Sequence, residues 1–289
     1  MKSSEAPSFS CLARRTAAAA AIALSVCGLP AAAHAAVITV DGNPSDWGIH
    51  TNGNAADWTP SAGILATVED QNGGLGTYLG PGYGGQRYDA EALYAWKDAT
   101  NLFIALVTGL PPDTRLGSNS FPPGDFLFDF GRDGVYDFGV VTTNALKADG
   151  TQLRPGLIVG GLYAVTSQAD DWYFGLWSGQ NANYPGGRDP VALKCPGSDC
   201  SLAGIVDVAT GGPYSPIGAL GGNHYVIEAS VPMSLFGSRA GQDLDIQWAM
   251  FCGNDVIQVD PPGSVPEPAT LPLAAAGLAG LLWLRRRQR

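Results

Sequence analysis

Short apolar runs, punctuated by glycine and proline, recur along this chain, and that pattern is typical of an all-β protein with many loops. Leu102, Ile104 and Leu106 alternate with a second apolar set, so this segment predicts a central strand that is buried on both faces. The predicted strands are Val37–Val40, Leu93–Lys97, Leu102–Thr108, Phe126–Phe130, Tyr136–Thr142, Leu157–Val165, Trp172–Leu176, Tyr225–Pro232 and Leu244–Cys252.

Helix signals are few, and only Pro232–Gly237 reads as a single helical turn, ended by glycine. Long loops are expected over Gly73–Gly85, Pro111–Gly124 and Ser178–Pro216. The arrangement predicts two packed antiparallel sheets, an all-β sandwich of jelly-roll-like type.

The N-terminus is typical of a secretory signal peptide. Lys2, Arg14 and Arg15 provide a positive start, an apolar stretch of about 14 residues follows, and small residues then precede Ala35. Because a spanning helix needs roughly 20 apolar residues, we expect cleavage between Ala35 and Ala36 rather than a retained anchor. Residues 1–35 are therefore predicted to leave the chain.

The C-terminus carries a second apolar stretch, from Ala269 to Leu284, followed by an arginine-rich end. Its length, about 16 residues, is marginal for a membrane span, and the arginines would stay on the cytoplasmic side. We expect a β-sandwich domain over 36–260, a proline-rich linker over 261–268, and a short transmembrane helix with a basic tail over 269–289.

The span Ala36–Ser264 is strongly acidic, with 24 Asp and Glu residues against nine Lys and Arg residues. Nucleic-acid binding is disfavoured, because contact with phosphates requires a basic face. The balance is compatible with Ca²⁺, which prefers carboxylate and carbonyl oxygens.

Three cysteines follow the predicted cleavage point: Cys195, Cys200 and Cys252. An exported chain meets an oxidising compartment, so we expect a disulfide. Cys195 and Cys200 would close a small loop, but either residue could instead reach Cys252, and the sequence leaves the pairing open.

Four aspartates recur every four residues, at Asp125, Asp129, Asp133 and Asp137. Carboxylates around a glycine-bearing turn repel one another unless a cation lies among them, which makes structural Ca²⁺ a hypothesis here. The alternative is an Asp-Gly hairpin turn whose acids are solvated.

Aromatic residues cluster beside the longest predicted loop, at Trp172, Tyr173, Trp177 and Tyr184. Sugars stack their apolar C–H faces on exposed aromatic rings, so these four residues are candidates for a glycan surface. Core packing is the alternative, and we assign Trp47, Trp96 and Trp248 to the core.

Signals for catalysis are weak, and we expect no catalytic residues. His50 and His224 have no metal-ligand partner at helical or strand spacing, and no phosphate loop or nucleophile elbow is present. A glycoside hydrolase using a pair of aspartates is the enzymatic alternative, although nothing singles out two of them.

The segment Val265-Pro266-Glu267-Pro268-Ala269-Thr270, with the apolar stretch and the arginine cluster behind it, resembles a PEP-CTERM sorting signal. The resemblance implies an exported protein of a Gram-negative bacterium that makes exopolysaccharide. It also implies tethering at the inner membrane and processing by an exosortase near Pro266, Glu267 and Pro268. The N-terminal signal peptide makes signal peptidase the second expected processing partner.

Three short segments resemble family 9 carbohydrate-binding modules: the opening Ile38–Trp47, the hairpin Trp96–Ala105 and the strand Tyr225–Pro232. The resemblance implies a β-sandwich, and sugar binding in turn. We therefore expect a non-enzymatic protein of the cell surface or extracellular matrix that binds exopolysaccharide, with Ca²⁺ as structural support. A purely structural matrix protein without a ligand is the alternative.

Overall fold

The computed structural model describes residues 37–71, 84–177, 188–195 and 200–261. Within these ranges the chain forms thirteen β-strands and four 3-10 helices, the latter at Pro44–Trp47, Ala55–Trp58, Gln86–Tyr88 and Met233–Arg239. The strands are β1 (Leu65–Val68), β2 (Ala90–Lys97), β3 (Asn101–Thr108), β4 (Phe126–Phe130), β5 (Phe138–Val140), β6 (Gly161–Ala164), β7 (Trp172–Phe174), β8 (Pro190–Leu193), β9 (Ser201–Ile205), β10 (Asp207–Tyr214), β11 (His224–Pro232), β12 (Leu244–Ala249) and β13 (Val256–Val259).

The strands form two large antiparallel sheets and one short hairpin. The five-stranded sheet has the order β1-β2-β3-β11-β10, and the six-stranded sheet has the order β13-β12-β4-β5-β6-β9. Strands β7 and β8 pair with each other alone. The predicted antiparallel sandwich is confirmed, and β3 is central as predicted, between β2 and β11.

The main core lies between the two large sheets. Leu93, Ile104 and Leu106 of the five-stranded sheet share one buried cluster with Phe128 and Trp248 of the six-stranded sheet. Alternation along each strand sends every second side chain into this cluster, because successive residues of a strand point to opposite faces.

The outer faces of both sheets are covered as well. On the five-stranded sheet, Trp47 and Trp58 of the N-terminal 3-10 helices pack with Tyr94 and Val107. On the six-stranded sheet, Leu127 packs in a cluster with Trp172 and Leu193 of the β7–β8 hairpin. Strands buried on both faces read as nearly continuous apolar runs, which is why β2, β3 and β4 are visible in the sequence.

Two sequence predictions were wrong. Val37–Val40 forms no strand, and the predicted long loop at Ser178–Pro216 contains β8, β9 and β10. Both β9 and β10 are edge strands, and they contain the small residues Gly204, Gly211 and Gly212. Their pairing is imposed by the neighbouring strand, so no local apolar pattern marks them.

No helix in the described part of the chain is long and apolar enough to cross a membrane. The predicted signal peptide with its cleavage point at Ala35 and Ala36, and the predicted apolar tail helix, lie outside the described residues.

Candidate functional site

A row of aromatic side chains lies beside the β7–β8 hairpin and is formed by Tyr88, Phe121 and Trp177, which we call the aromatic row. The ring centroids of Phe121 and Trp177 are 5.9 Å apart with an interplanar angle of 72°, and those of Tyr88 and Phe121 are 6.3 Å apart at 69°. These are edge-to-face contacts, which stabilise the rings relative to one another. Trp177 is 38% exposed, so it presents part of its indole to solvent.

Hydrogen bonds to backbone carbonyls hold the aromatic row in place. The Trp177 backbone N–H donates to the Cys252 carbonyl at 3.0 Å, which ties this loop to the segment after β12. The Tyr88 hydroxyl donates to the Asn119 carbonyl at 3.3 Å. The row is therefore positioned by three segments that are distant in sequence.

Only part of the predicted aromatic cluster fits a sugar-binding surface. Trp172 is 1% exposed, contacts Tyr136 edge-to-face at 6.3 Å and donates from Nε1 to Gln168, so the proposal of a sugar platform at Trp172 was wrong. The β7–β8 hairpin folds its indole onto the six-stranded sheet. Tyr173 is half-buried against Phe251, and Tyr184 lies outside the described residues.

The four predicted calcium-binding aspartates do not form one site. Asp129 accepts from the Asp133 and Gly134 amides, and Asp137 accepts from the Phe130 amide at 2.9 Å. Burial raises the pKa of both Asp129 and Asp137, while Arg239 pairs with Asp137 at 2.9 Å. These carboxylates accept hydrogen bonds within the β4–β5 turn, but Asp129 is buried, whereas the hairpin alternative expected solvated acids.

Asp125, the fourth member, is buried elsewhere. It forms an ion pair with the buried Arg154, and it accepts from the amides of Thr142 at 3.1 Å and Leu193 at 2.9 Å. Arg154 donates in turn to the Thr143 carbonyl at 3.0 Å. Among the described residues no group of three His, Cys, Asp or Glu side chains is arranged to hold a metal ion. The grouping of all four aspartates around one cation was therefore wrong.

Arg132 in the β4–β5 turn also contacts the last residues that the structure describes. Arg132 has a positive φ of 56°, and its guanidinium pairs with Asp245 at 2.8 Å. The same guanidinium donates to the carbonyls of Asp260 at 2.9 Å and Pro261 at 3.3 Å, the last two described residues. We call this contact the Arg132 clamp.

A buried glutamate explains the N-terminal segment that resembles a carbohydrate-binding module. Glu228 of β11 accepts from the Asp41 and Gly42 amides at 2.9 and 2.7 Å, and from Trp47 Nε1 at 2.8 Å. Gly42 has φ of +80°, and a Cβ there would lie 2.6 Å from the Thr210 backbone, so only glycine fits. The segment is thus explained by packing onto the sheet.

A second buried acid lies at the start of β2. Glu91 Oε1 is 3.3 Å from His224 Nε2 and accepts from Gln86 Nε2, and both Glu91 and His224 are fully buried. Sequence reasoning missed Glu91, although an acid within the apolar stretch Ala90–Ala95 signals a buried polar contact. The His224 imidazole at the start of β11 lies against both Gln86 and Glu91 inside the domain.

The cysteine pairing is resolved. Cys195 and Cys200 form a disulfide, and Cys252 is free and buried. Burial raises the pKa of the Cys252 thiol to about 11, and its Sγ contacts Asn254 Oδ1 at 2.8 Å. The disulfide therefore closes the short loop after β8, one of the alternatives left open by the sequence.

Comparison with known proteins bears on the C-terminal tail. Residues 264–287 match the PEP-CTERM protein-sorting motif, which confirms the predicted sorting signal at Pro266, Glu267 and Pro268. No curated protein and no solved structure gives a significant match to the chain. The motif is the substrate signal for an exosortase, so the chain carries the sorting tail of an exported protein.

Proposed function

We propose that this protein is an exported, non-enzymatic component of the cell surface, and that its β-sandwich binds glycans of the exopolysaccharide matrix. The observation that carries the proposal is the aromatic row, in which Trp177 remains 38% exposed although it contacts Phe121. The sorting motif at 264–287 supports export and processing.

The aromatic row is suited to sugars for a physical reason. An aromatic ring has a large apolar face, and a pyranose presents a face of C–H groups that stacks on it with little loss of conformational entropy. Trp177 is held through its backbone, and its neighbour Phe121 packs against the main core. A surface that is fixed before binding loses less entropy when the ligand arrives.

Three fully buried acids are engaged in contacts inside the domain and are unsuited to a hydrolytic role. Asp125, Glu91 and Glu228 are fully buried and are engaged by Arg154, Gln86 and Trp47. A glycosidase pair must contact the glycosidic bond directly. These carboxylates are not placed to do so.

A binding assay with matched variants tests the proposal. Exopolysaccharide purified from the producing strain is titrated with wild-type protein and with the variants Trp177→Ala and Leu176→Ala. Leu176 is the matched control, because it is the adjacent residue, is 52% exposed and has no aromatic face. We expect Trp177→Ala to weaken binding about tenfold and Leu176→Ala to change it less than about twofold.

Equal affinities for the two variants would refute a role for the aromatic row. No binding of wild-type protein to its own matrix polymer would favour the alternative of a structural matrix protein without a ligand.

A further inference from the structure

A continuous groove runs along the edge strand β10, on residues that the aromatic row does not use. It consists of three adjoining cavities of about 440, 370 and 270 Å³. The first two share Pro112, Asp113 and Thr210, and the last two share Pro111 and Tyr225. We call this surface the β10 groove.

Side chains that can exchange hydrogen bonds with hydroxyl groups line the β10 groove from end to end. Arg115 and Asn144 line the first cavity, Asp113 and Tyr225 line the middle cavity, and Arg87 and Asn223 line the third. The Tyr225 side chain is half-buried, and the other five side chains are exposed. Val159 and Val208 add apolar surface in the first cavity. An elongated groove with amide, guanidinium and phenol groups suits an extended chain of sugars.

The walls of the β10 groove are fixed by buried contacts. Thr142 and Thr143 form part of the first cavity, and both are held by the buried pair of Asp125 and Arg154. On the other side, the Thr114 amide donates to the Pro111 carbonyl at 3.0 Å, and Arg87 donates to Thr114 Oγ1 at 3.3 Å. The groove is therefore formed before any ligand binds.

The charge of the β10 groove differs from that of the rest of the domain. Two arginines, Arg87 and Arg115, line it with a single acid, Asp113, whereas the span Ala36–Ser264 has 24 acids and nine basic residues. Neither arginine forms an ion pair with any residue in the described ranges. Exposed guanidinium groups of this kind bind carboxylates through paired N–H donors.

Thr143 offers one further contact. It is 6% exposed, and its Oγ1 has no hydrogen-bond partner among the described residues. A buried hydroxyl without a partner is unfavourable, and a change of χ1 rotamer can redirect the Thr143 hydroxyl without moving the backbone. A ligand hydroxyl in the first cavity would give this oxygen a partner.

From these observations we propose that the β10 groove binds a linear anionic glycan, with Arg87 and Arg115 contacting the carboxylates of uronic acid residues. The inference rests on the proposed function, that this domain binds glycans, and adds the chemical class of the ligand and a second binding surface. Asp113, Asn144 and Asn223 contact sugar hydroxyls, and Tyr225 supplies the aromatic face.

The test compares two uronate oligosaccharides with the neutral methyl ester of one of them. Tetragalacturonate, its methyl ester and an alginate tetramer are titrated calorimetrically into the protein isolated from cells that export it. We expect a uronate tetramer to bind, its ester to bind at least about fivefold more weakly, and sodium chloride at about 0.5 M to weaken binding because salt screens charges in exposed sites.

Variants locate the binding site. Arg115→Gln should weaken binding of the uronate tetramer about tenfold, because one charge-assisted contact is lost. Lys147→Gln is the matched control: it removes the same charge from an exposed side chain that does not line the β10 groove, and it should leave affinity unchanged. Thr143→Val tests the unpaired hydroxyl, and it should weaken binding without lowering the stability of the domain.

The outcomes separate this inference from the proposed function. Binding of neither uronate tetramer, equal binding of the ester, or equal affinity for Arg115→Gln and Lys147→Gln would overturn the anionic groove. If Trp177→Ala still weakens binding of the matrix polymer, the aromatic row stands without the groove. If Arg115→Gln weakens binding and Trp177→Ala does not, the groove stands and the aromatic row fails.

Discussion

Replacing Asp125 by alanine should destabilise the domain severely. The substitution leaves the buried Arg154 guanidinium without its counter-charge, and it removes the acceptor of the Thr142 and Leu193 amides. Breaking one partner of a buried ion pair costs about 3–5 kcal/mol, because the remaining charge is uncompensated. Since a small domain has about 5–15 kcal/mol of stability in total, we expect the loss of a large fraction of it.

The loss of stability is measured by urea unfolding, with tryptophan fluorescence as the probe of the folded state. Asp133→Asn is the matched control, since Asp133 belongs to the same spaced quartet but is exposed, and it should cost less than about 1 kcal/mol. The measurement is repeated with a chelator, to which the wild-type protein should be indifferent. The reasoning is refuted if Asp125→Ala and Asp133→Asn cost equal amounts, or if the chelator reproduces the effect of Asp125→Ala.

Three further outcomes concern the cysteines and Glu69. Reducing the disulfide, or the variant Cys200→Ser, should cost about 2 kcal/mol in urea unfolding, because the loop back to Cys195 is short, and a variant as stable as wild type would contradict this. Cys252 should resist alkylation at pH 8 until the protein unfolds, because it is buried and its thiol pKa is raised to about 11; rapid labelling of the native protein would show that the site is open. Burial, with a smaller contribution from Asp255, raises the pKa of Glu69 from 4.5 to about 7. Because the native state binds this proton more tightly than the unfolded state, Glu69 contributes stability that is complete below about pH 4.5 and is lost as pH rises through 7. Glu69→Gln should flatten the dependence of the free energy of unfolding on pH, and an unchanged dependence would exclude Glu69 as its source.

The central part of the sandwich was predictable because its strands are buried on both faces. Predicted strand Phe126–Phe130 coincides with β4, and predicted strand Leu102–Thr108 differs from β3 by one residue. Their side chains fill the main core on one face and an outer cluster on the other, so the sequence shows an almost unbroken apolar run. The edges could not be predicted in this way, because β9 and β10 take their register from β6 and β11.

The candidate surfaces were harder to predict because each one joins segments that are distant in sequence. Trp177 was identified beside a loop, but Tyr88 and Phe121 gave no local signal, since each reads as an isolated aromatic residue. Trp172 lies only five residues before Trp177 in the chain and is nevertheless buried. The two residues differ in exposure because the β7–β8 hairpin packs Trp172, but not Trp177, into the cluster on the six-stranded sheet.

The regular spacing of the aspartates also led to a wrong prediction. A period of four suggested one cluster, but Asp125 lies one residue before β4 begins, whereas Asp129, Asp133 and Asp137 surround the turn after it. In an extended strand, four residues cover about 13 Å, so Asp125 and Asp129 are carried apart. A regular interval in sequence brings side chains together only when the backbone between them turns.

The Arg132 clamp limits how far the sorting signal can extend from the folded body. Asp260 and Pro261 are held by the clamp, and Pro266 follows only five residues later. Even a fully extended chain covers at most about 18 Å over that interval, whatever path it takes. A body of this size has a radius of gyration of about 17 Å, so the tether is shorter than the body is wide. An exosortase that acts at Pro266–Pro268 would therefore work within roughly 20–25 Å of the Arg132 clamp, and that end of the sandwich would be the part of the domain nearest to the peptidase.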